Sequence, residues 1–398
     1  MRVLIATTAL CLLAACGSAP KKAPGLPQAA QAQELTALDQ ARAKNQHFMN
    51  PALIDAFPAS TDPNYRPPAR LAVLLPQTGS LSVAGTAIRD GILAGYYAET
   101  RSRPIIRFYN SQGSAEGAKA AYQRALKDGA QMVIGLIGKE EVAAIAETTT
   151  GIPVLALNRI EQPSNRMVLN FSLSPEREGE LIAERLIGKG LLLVGVFIQG
   201  SDSNTRTLAA FEKRYQQAGG KLLFHTPAPQ FGKDASGAPI NPALPESLPQ
   251  AKAVLLLMSG DAAKPTRAAL ALNGAGGIPV FAGSDISNDG DAKTNAQLNG
   301  IEFLQMPWLI GQGNALGVTP PQLAKLPSSR GGGARLNAFG LDAWLVSTRL
   351  QVWLGGPNTA INGATGALHM EPDGRIERTL PWSVFQNGVP QPLNASQP

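Results

Sequence analysis

The chain is almost devoid of cysteine. Its two residues of that type, Cys11 and Cys16, both fall within the first sixteen of 398 positions. No disulfide can staple the rest, so its stability has to come from a buried core. Histidine is scarce as well. His47, His225 and His369 lie far apart, without the spacing that a metal site needs. Neither a His-Glu-x-x-His stretch nor a Gly-x-Ser-x-Gly elbow occurs. Gly331-Gly332-Gly333 lacks the preceding strand and following Lys-Ser/Thr of a phosphate loop, and reads as a flexible loop. The pair Glu140-Glu141 sits at a helix start, where the macrodipole accounts for it. Together these absences argue against an enzyme, a cofactor or a metal. Charge is sparse at 16%, the formal net charge is only +6, and no block of Lys and Arg interleaves with aromatics. Nucleic acid is therefore not indicated. After one short apolar run at the start, no stretch approaches membrane-spanning length.

That run, residues 3–12, follows Arg2 and ends in small residues, which reads as an export signal over residues 1–15. It closes on Leu13-Ala14-Ala15-Cys16. This pattern resembles the lipobox of bacterial lipoproteins, which implies a diacylated Cys16 as the new N-terminus. An ordinary signal peptide with a chance cysteine is the bland alternative. Gly17, rather than Asp, follows the cysteine. By analogy with lipoprotein sorting, that favours the outer membrane.

Residues 16–68 read as a lipidated cysteine and a flexible tether. The first part is Ala, Pro, Gln and Lys without apolar period, a short helix fits 34–44, and five prolines from Pro51 to Pro68 follow. Fully extended, such a segment reaches ~170–180 Å at most.

From residue 71 the pattern becomes that of a folded domain. Continuous apolar runs at 71–75, 105–109, 132–135 and 153–157 read as buried parallel strands, and 82–99, 115–127 and 140–148 as the helices between them. The alternation then restarts. Ser174-Pro175-Glu176 is a strong helix start, with N-cap, first-position proline and an acid in the first turn. Strands follow at 191–198, 221–225, 253–257 and 279–281, with helices at 205–218 and 264–272. The link 226–249 is rich in Pro and Gly. A long amphipathic helix runs from Leu336 to Trp353, and Asp373-Gly374 marks a hairpin over 368–380. Two α/β units of this size predict an α/β fold of two Rossmann-like lobes.

This order, with Leu75-Pro76-Gln77-Thr78-Gly79 at the first turn, resembles the type I periplasmic binding protein fold. There the chain crosses between lobes more than once. Over residues 69–390 the resemblance implies a first lobe from about 69–158 and 278–355, and a second from about 165–275 and 364–390. A narrower resemblance rests on Asn170-Phe171-Ser172-Leu173-Ser174-Pro175-Glu176, Gly300-Ile301-Glu302-Phe303, Met306-Pro307-Trp308-Leu309, Leu341-Asp342-Ala343-Trp344 and Asp373-Gly374-Arg375-Ile376-Glu377-Arg378. These motifs are similar, in the same order, to those of the LppC/LpoA-type lipoproteins, the penicillin-binding protein activators. The resemblance implies a partner, a class A penicillin-binding protein, and regulation of peptidoglycan synthesis from the outer membrane. Longer members carry a helical tetratricopeptide-type domain; here the tether stands in its place.

A ligand cleft is the competing expectation, and it makes the chain a periplasmic receptor for an amino-acid-type solute. Cleft candidates are Thr78, Ser80, Lys139, Asn158 and Trp308. In the type I fold, turns after strands one and three bring helix N-termini to the cleft, where free N–H groups favour anions. Thr78 and Ser80 fit the first turn; the bland reading has them cap the first helix. At the second turn, Lys139 replaces the expected hydroxyl while Glu140 opposes an anion. Trp308 reads equally as core, and Arg375 with Arg378 as a solvated strand face.

Overall fold

The structure is a computed structural model that describes residues 52–149, 151–160, 165–229, 231–232, 236–237, 242–287, 292–355, 359–371 and 373–393. Cys16, the export signal and the tether up to residue 51 lie outside the described residues.

Among the described residues two sheets form. The first begins with the parallel strands β1 (Arg70–Leu75), β2 (Ile105–Asn110), β3 (Met132–Gly135), β4 (Val154–Ala156) and β5 (Val168–Phe171). The second has β6 (Leu193–Ile198), β7 (Lys221–Pro227), β8 (Ala253–Leu257), β9 (Val280–Ala282) and β10 (Glu302–Leu304), also parallel. Then β11 (Ile361–Asn362), β12 (Ala367–Met370) and β13 (Arg375–Thr379) join the first sheet, in the order β11-β12-β13-β5-β4-β3-β1-β2. The strands β14 (Trp382–Gln386) and β15 (Val389–Pro392) join the second, in the order β15-β14-β10-β9-β8-β6-β7. The chain thus crosses between lobes at residues 172–174, 305–332 and 380–381.

This topology corrects the expected lobe boundaries. Strands β9 and β10 extend the second sheet, so that lobe runs on to about residue 304 rather than ending at 275. The hairpin β12–β13 docks in parallel beside β5, so 364–379 belongs to the first lobe. The reason is local. Ile376 pairs with Phe171 and carries the first lobe's core outward, whereas Trp382 pairs with Leu304 after the last crossing.

Helices cover both sheets: α1 (Ala52–Asp55), α2 (Ser82–Ala98), α3 (Ala115–Lys127), α4 (Lys139–Ala146), α5 (Pro175–Gly188), α6 (Asp202–Gln217), α7 (Gly260–Leu272), α8 (Ala292–Asn295), α9 (Pro320–Leu323) and α10 (Gly333–Ser347). Their starts follow from side chains. Ser114, Ser174 and Ser201 each accept an N–H from the third residue beyond. The expected long amphipathic helix is shorter, and it is buried on every side from Asn337 to Ser347. It sits against the cores of both lobes: Phe339, Ala343 and Trp344 pack in the first, Ala338 and Leu341 in the second. A helix so enclosed needs no polar face. It lies against α2 at unusually short range. A Cβ on Gly91 would stand 2.0 Å from the Asn337 carbonyl oxygen, and one on Gly340 2.0 Å from that of Ile88.

The tether boundary at residue 68 also needs correction. Leu53, Ile54 and Phe57 are buried in the first lobe's core, with Ile54 fully enclosed. Tyr65 lies under Arg101, whose guanidinium stands 4.0 Å from the ring centroid. Beneath them Glu99 joins Arg101 at 2.8 Å and Arg349 at 2.9 Å, and Asp62 joins Arg101 at 2.6 Å. Residues 53–68 are therefore part of the domain.

Candidate functional site

The C-terminal ends of β3 and β4, the start of β13, and the helices α5 and α6 surround a cavity of about 790 Å³ between the lobes. Helix α4 begins at Lys139, directly after β3, and presents that side chain to the cavity. Arg159 follows β4 and Arg375 opens β13. From the second lobe come Glu176 and Glu180 of α5, and Arg206, Lys213 and Arg214 of α6. The two helices meet closely because residue 179 is glycine: a Cβ there would stand 2.2 Å from the Thr207 carbonyl oxygen.

The lining is predominantly cationic, and its carboxylates are engaged. Glu176 accepts from Arg206 at 2.7 Å and from the Ser174 hydroxyl at 2.7 Å. Burial pushes its carboxyl up, but these hydrogen bonds outweigh that and hold it at about 2. Glu180 pairs with Arg177 at 2.9 Å. Arg159 and Arg375 both approach Glu377, at 4.0 and 3.5 Å, and Arg214 approaches Glu184 at 3.4 Å. Among the described residues neither Lys139 nor Lys213 has an ion-pair partner.

The second anion turn is already filled, by a residue the sequence reading assigned to the helix dipole. Glu141 is fully buried, and its Oε2 accepts the Gly138 N–H at 2.8 Å. Burial raises its carboxyl above the usual range, while Ser111 and the backbone groups of Gly138, Ile137 and Gly113 draw it back. The chain's own carboxyl thus takes up the Gly138 N–H at the head of α4, beside the place where a ligand carboxylate would bind.

The other cleft candidates fare differently. Thr78 and Ser80 are exposed in the first turn, away from the residues lining the cavity. Thr78 Oγ1 accepts from Asn110 Nδ2 at 3.3 Å. Neither caps α2, whose N-cap is Leu81 with no side-chain hydrogen bond. Asn158 is spent on the backbone: its Nδ2 donates to the Ile137 carbonyl at 2.7 Å, tying the ends of β3 and β4 together. Trp308 is core, 2% exposed and packed in the second lobe's cluster. Its helical turn, 307–310, lies where the chain returns from the second lobe, and its N–H donates to Ala364.

Arg378 is not a solvated strand residue either. It is buried, and burial pulls its guanidinium down to about 10 although Glu178, Glu377 and Asp342 oppose the fall. Asp342, in the centre of α10, accepts from the N–H groups of Ala364 and Thr365, both at 2.7 Å, and from the Thr365 hydroxyl at 2.6 Å. Glu178 accepts from the Ser284 backbone and hydroxyl, and Arg335 donates to the Ser284 carbonyl at 2.7 Å. These buried polar groups lie where the crossings converge. Asn170 of β5, by contrast, is buried, and its side-chain amide has no hydrogen-bond partner among the described residues.

The model of the LppC putative lipoprotein family matches residues 31–225 and 240–388. Penicillin-binding protein activator LpoA of Photobacterium profundum is 28% identical over 353 residues, 79% of this chain and 55% of that protein. The chain spans about half the length of the curated relatives it matches. Among solved structures, the C-domain of LpoA (YraM) from Haemophilus influenzae, a regulator of PBP1A, superimposes with a TM-score of 0.63 at 22% identity, over 82% of this chain and all of that one. A putative branched-chain amino acid ABC transporter from Chromobacterium violaceum superimposes with a TM-score of 0.61 at 23% identity, over 80% of this chain and all of that one. At these identities the structures establish a shared fold, the two-lobed type I periplasmic binding arrangement expected. On the strength of the family match through both lobes, the chain belongs to the LppC lipoprotein family.

Proposed function

We propose that this protein, lipid-anchored through Cys16 at the periplasmic face of the outer membrane, binds a class A penicillin-binding protein and stimulates its peptidoglycan synthesis without itself catalysing a reaction. The observation that carries this reading is the family match through both lobes, together with relatives named as activators. In fold, the chain matches the whole length of a C-domain described as a regulator of PBP1A, which supports a synthase contact through this domain. A pull-down of the detergent-solubilised protein from envelope, followed by identification of its companions, tests the reading: a class A synthase should be enriched, and its absence counts against the proposal.

The solute-receptor alternative shares the fold but not the turn chemistry. At the head of α4 a ligand carboxylate would lie beside Glu140 and the buried Glu141, whose Oε2 already accepts the Gly138 N–H. A thermal-shift screen over the common amino acids should therefore show no stabilisation. By linkage, a real ligand at a hundred times its Kd adds about 2.7 kcal/mol, and a shift of that size would favour the receptor.

A further inference from the structure

The cavity between the lobes is lined by six cationic side chains against two carboxylates. Glu141 accepts the Gly138 N–H at the head of α4, which puts a buried carboxyl beside the place where a compact anion would bind. What remains is a wall of long cationic side chains from both lobes. Lys139, Arg159 and Arg375 stand on the first; Arg206, Lys213 and Arg214 stand on the second. The arginines already touch carboxylates, but each retains further N–H groups in its planar fork. Lys139 and Lys213 have no ion-pair partner among the described residues.

The cations are spread in space. Along α6, Arg206 and Lys213 are two turns apart, about 10.5 Å by helix rise, on the face that lines the cavity. In an extended peptide, side chains on one side recur every ~6.8 Å. Neighbouring residues point to opposite sides, so a run of acidic residues presents alternate carboxylates to the cations of α6 and to those of the first lobe. A volume of about 790 Å³ is ample for a short stretch of such a chain.

We propose that the cleft between the lobes receives an extended acidic peptide segment, held by Lys139 and Lys213 from opposite lobes with the arginines beside them. The proposal rests on the reading above only for the source of the segment, which would be the partner synthase. The peptide site itself stands on the geometry.

The test uses the full chain, purified in detergent, and a blocked hexapeptide of glutamate with a blocked hexapeptide of glutamine as neutral control. Calorimetric titration at low salt should show one acidic peptide bound per chain, no binding of the neutral one, and loss of affinity as salt rises. The double variant Lys139→Glu/Lys213→Glu should bind the acidic peptide at least about tenfold more weakly, with an unchanged melting midpoint because both side chains are exposed. Equal behaviour of the two peptides, or unimpaired binding by the double variant, would overturn the site. Inorganic tripolyphosphate binding more tightly than the peptide would assign the cleft to a compact anion and overturn the peptide. Because the synthase is absent from this titration, a negative result leaves the synthase-binding proposal standing. Failure to bind synthase likewise leaves the peptide result intact.

Discussion

Gly91 and Gly340 carry much of the contact between α2 and α10, because either Cβ would collide with a carbonyl oxygen of the facing helix. Gly91→Ala should destabilise the protein by about 1–3 kcal/mol, read as a lower melting temperature; an unchanged midpoint would mean that the helices can separate at little cost. Asp342 makes a pH prediction. Burial pushes its carboxyl up to about 6, against the hydrogen bonds of Thr365 and Ala364 and the charge of Arg378. Between the ordinary value of 3.8 and about 6 the folded form holds a proton that the unfolded form has lost. Stability from this group therefore falls as pH rises through that window. Asp342→Asn should flatten that slope in denaturant titrations, at a cost in stability because the amide nitrogen, whichever oxygen it replaces, then faces an N–H donor. A slope that survives the substitution would refute the assignment. At the other end of the chain, Cys16→Ser should abolish incorporation of a labelled fatty acid, and a label that persists would remove Cys16 as the anchor. Sequence reading could single out Cys16 from its neighbours alone. It could not see that Glu141 turns back to cap its own helix, since a carboxylate in a first turn looks the same whether it faces water or the cleft.

At the scale of elements, the segment 53–68 shows why prolines mislead. Four of them, with Pro51 just before, suggested a tether, but Leu53, Ile54 and Phe57 are spaced to place one apolar face on the first lobe. Ile54→Ala should destabilise by about 2–5 kcal/mol, as a true tether residue would not. Glu99 locks the same segment. Burial raises its carboxyl, but Arg101 and Arg349 hold it at about 2. Its contribution is thus present above the ordinary 4.5 and lost as pH falls toward 2. Glu99→Gln should remove that acid-side loss. It should also cost about 3–5 kcal/mol at neutral pH, because Arg349 stays buried without its counter-charge; a neutral substitution would show that the ion pair is dispensable. Continuous apolar runs made the early strands and their helices legible. Glu302–Leu304 was not, because three residues of mixed polarity carry no readable period, unlike the all-apolar stretch at 280–282. One legible sign lay beyond the expected hairpin: Asn387-Gly388 turns β14 into β15 with both residues at positive φ. The helix α7 begins a turn before its expected start, with Pro265 inside it rather than at its head.

At the scale of the whole molecule, the motifs that carry the family resemblance lie mostly in the interior. Phe171, Phe303, Trp308, Asp342, Trp344 and Arg378 are all buried. They record how two lobes and three crossings pack, which is why the fold was legible from them and the lobe boundaries nearly so. The candidate site was less legible, because the cleft is assembled from Lys139, Arg159, Arg206, Lys213 and Arg375, charged residues that read singly as solvated surface. Glu176 and Arg375 are the motif residues that reach the cleft. The most direct test of the central claim measures peptidoglycan cross-linking by a purified class A penicillin-binding protein from the same cell, with and without this protein and with no small molecule added. The account predicts direct binding and a dose-dependent rise in cross-linking. No binding and no stimulation at micromolar concentration, against every class A synthase of the cell, would contradict it and leave the resemblance as one of fold.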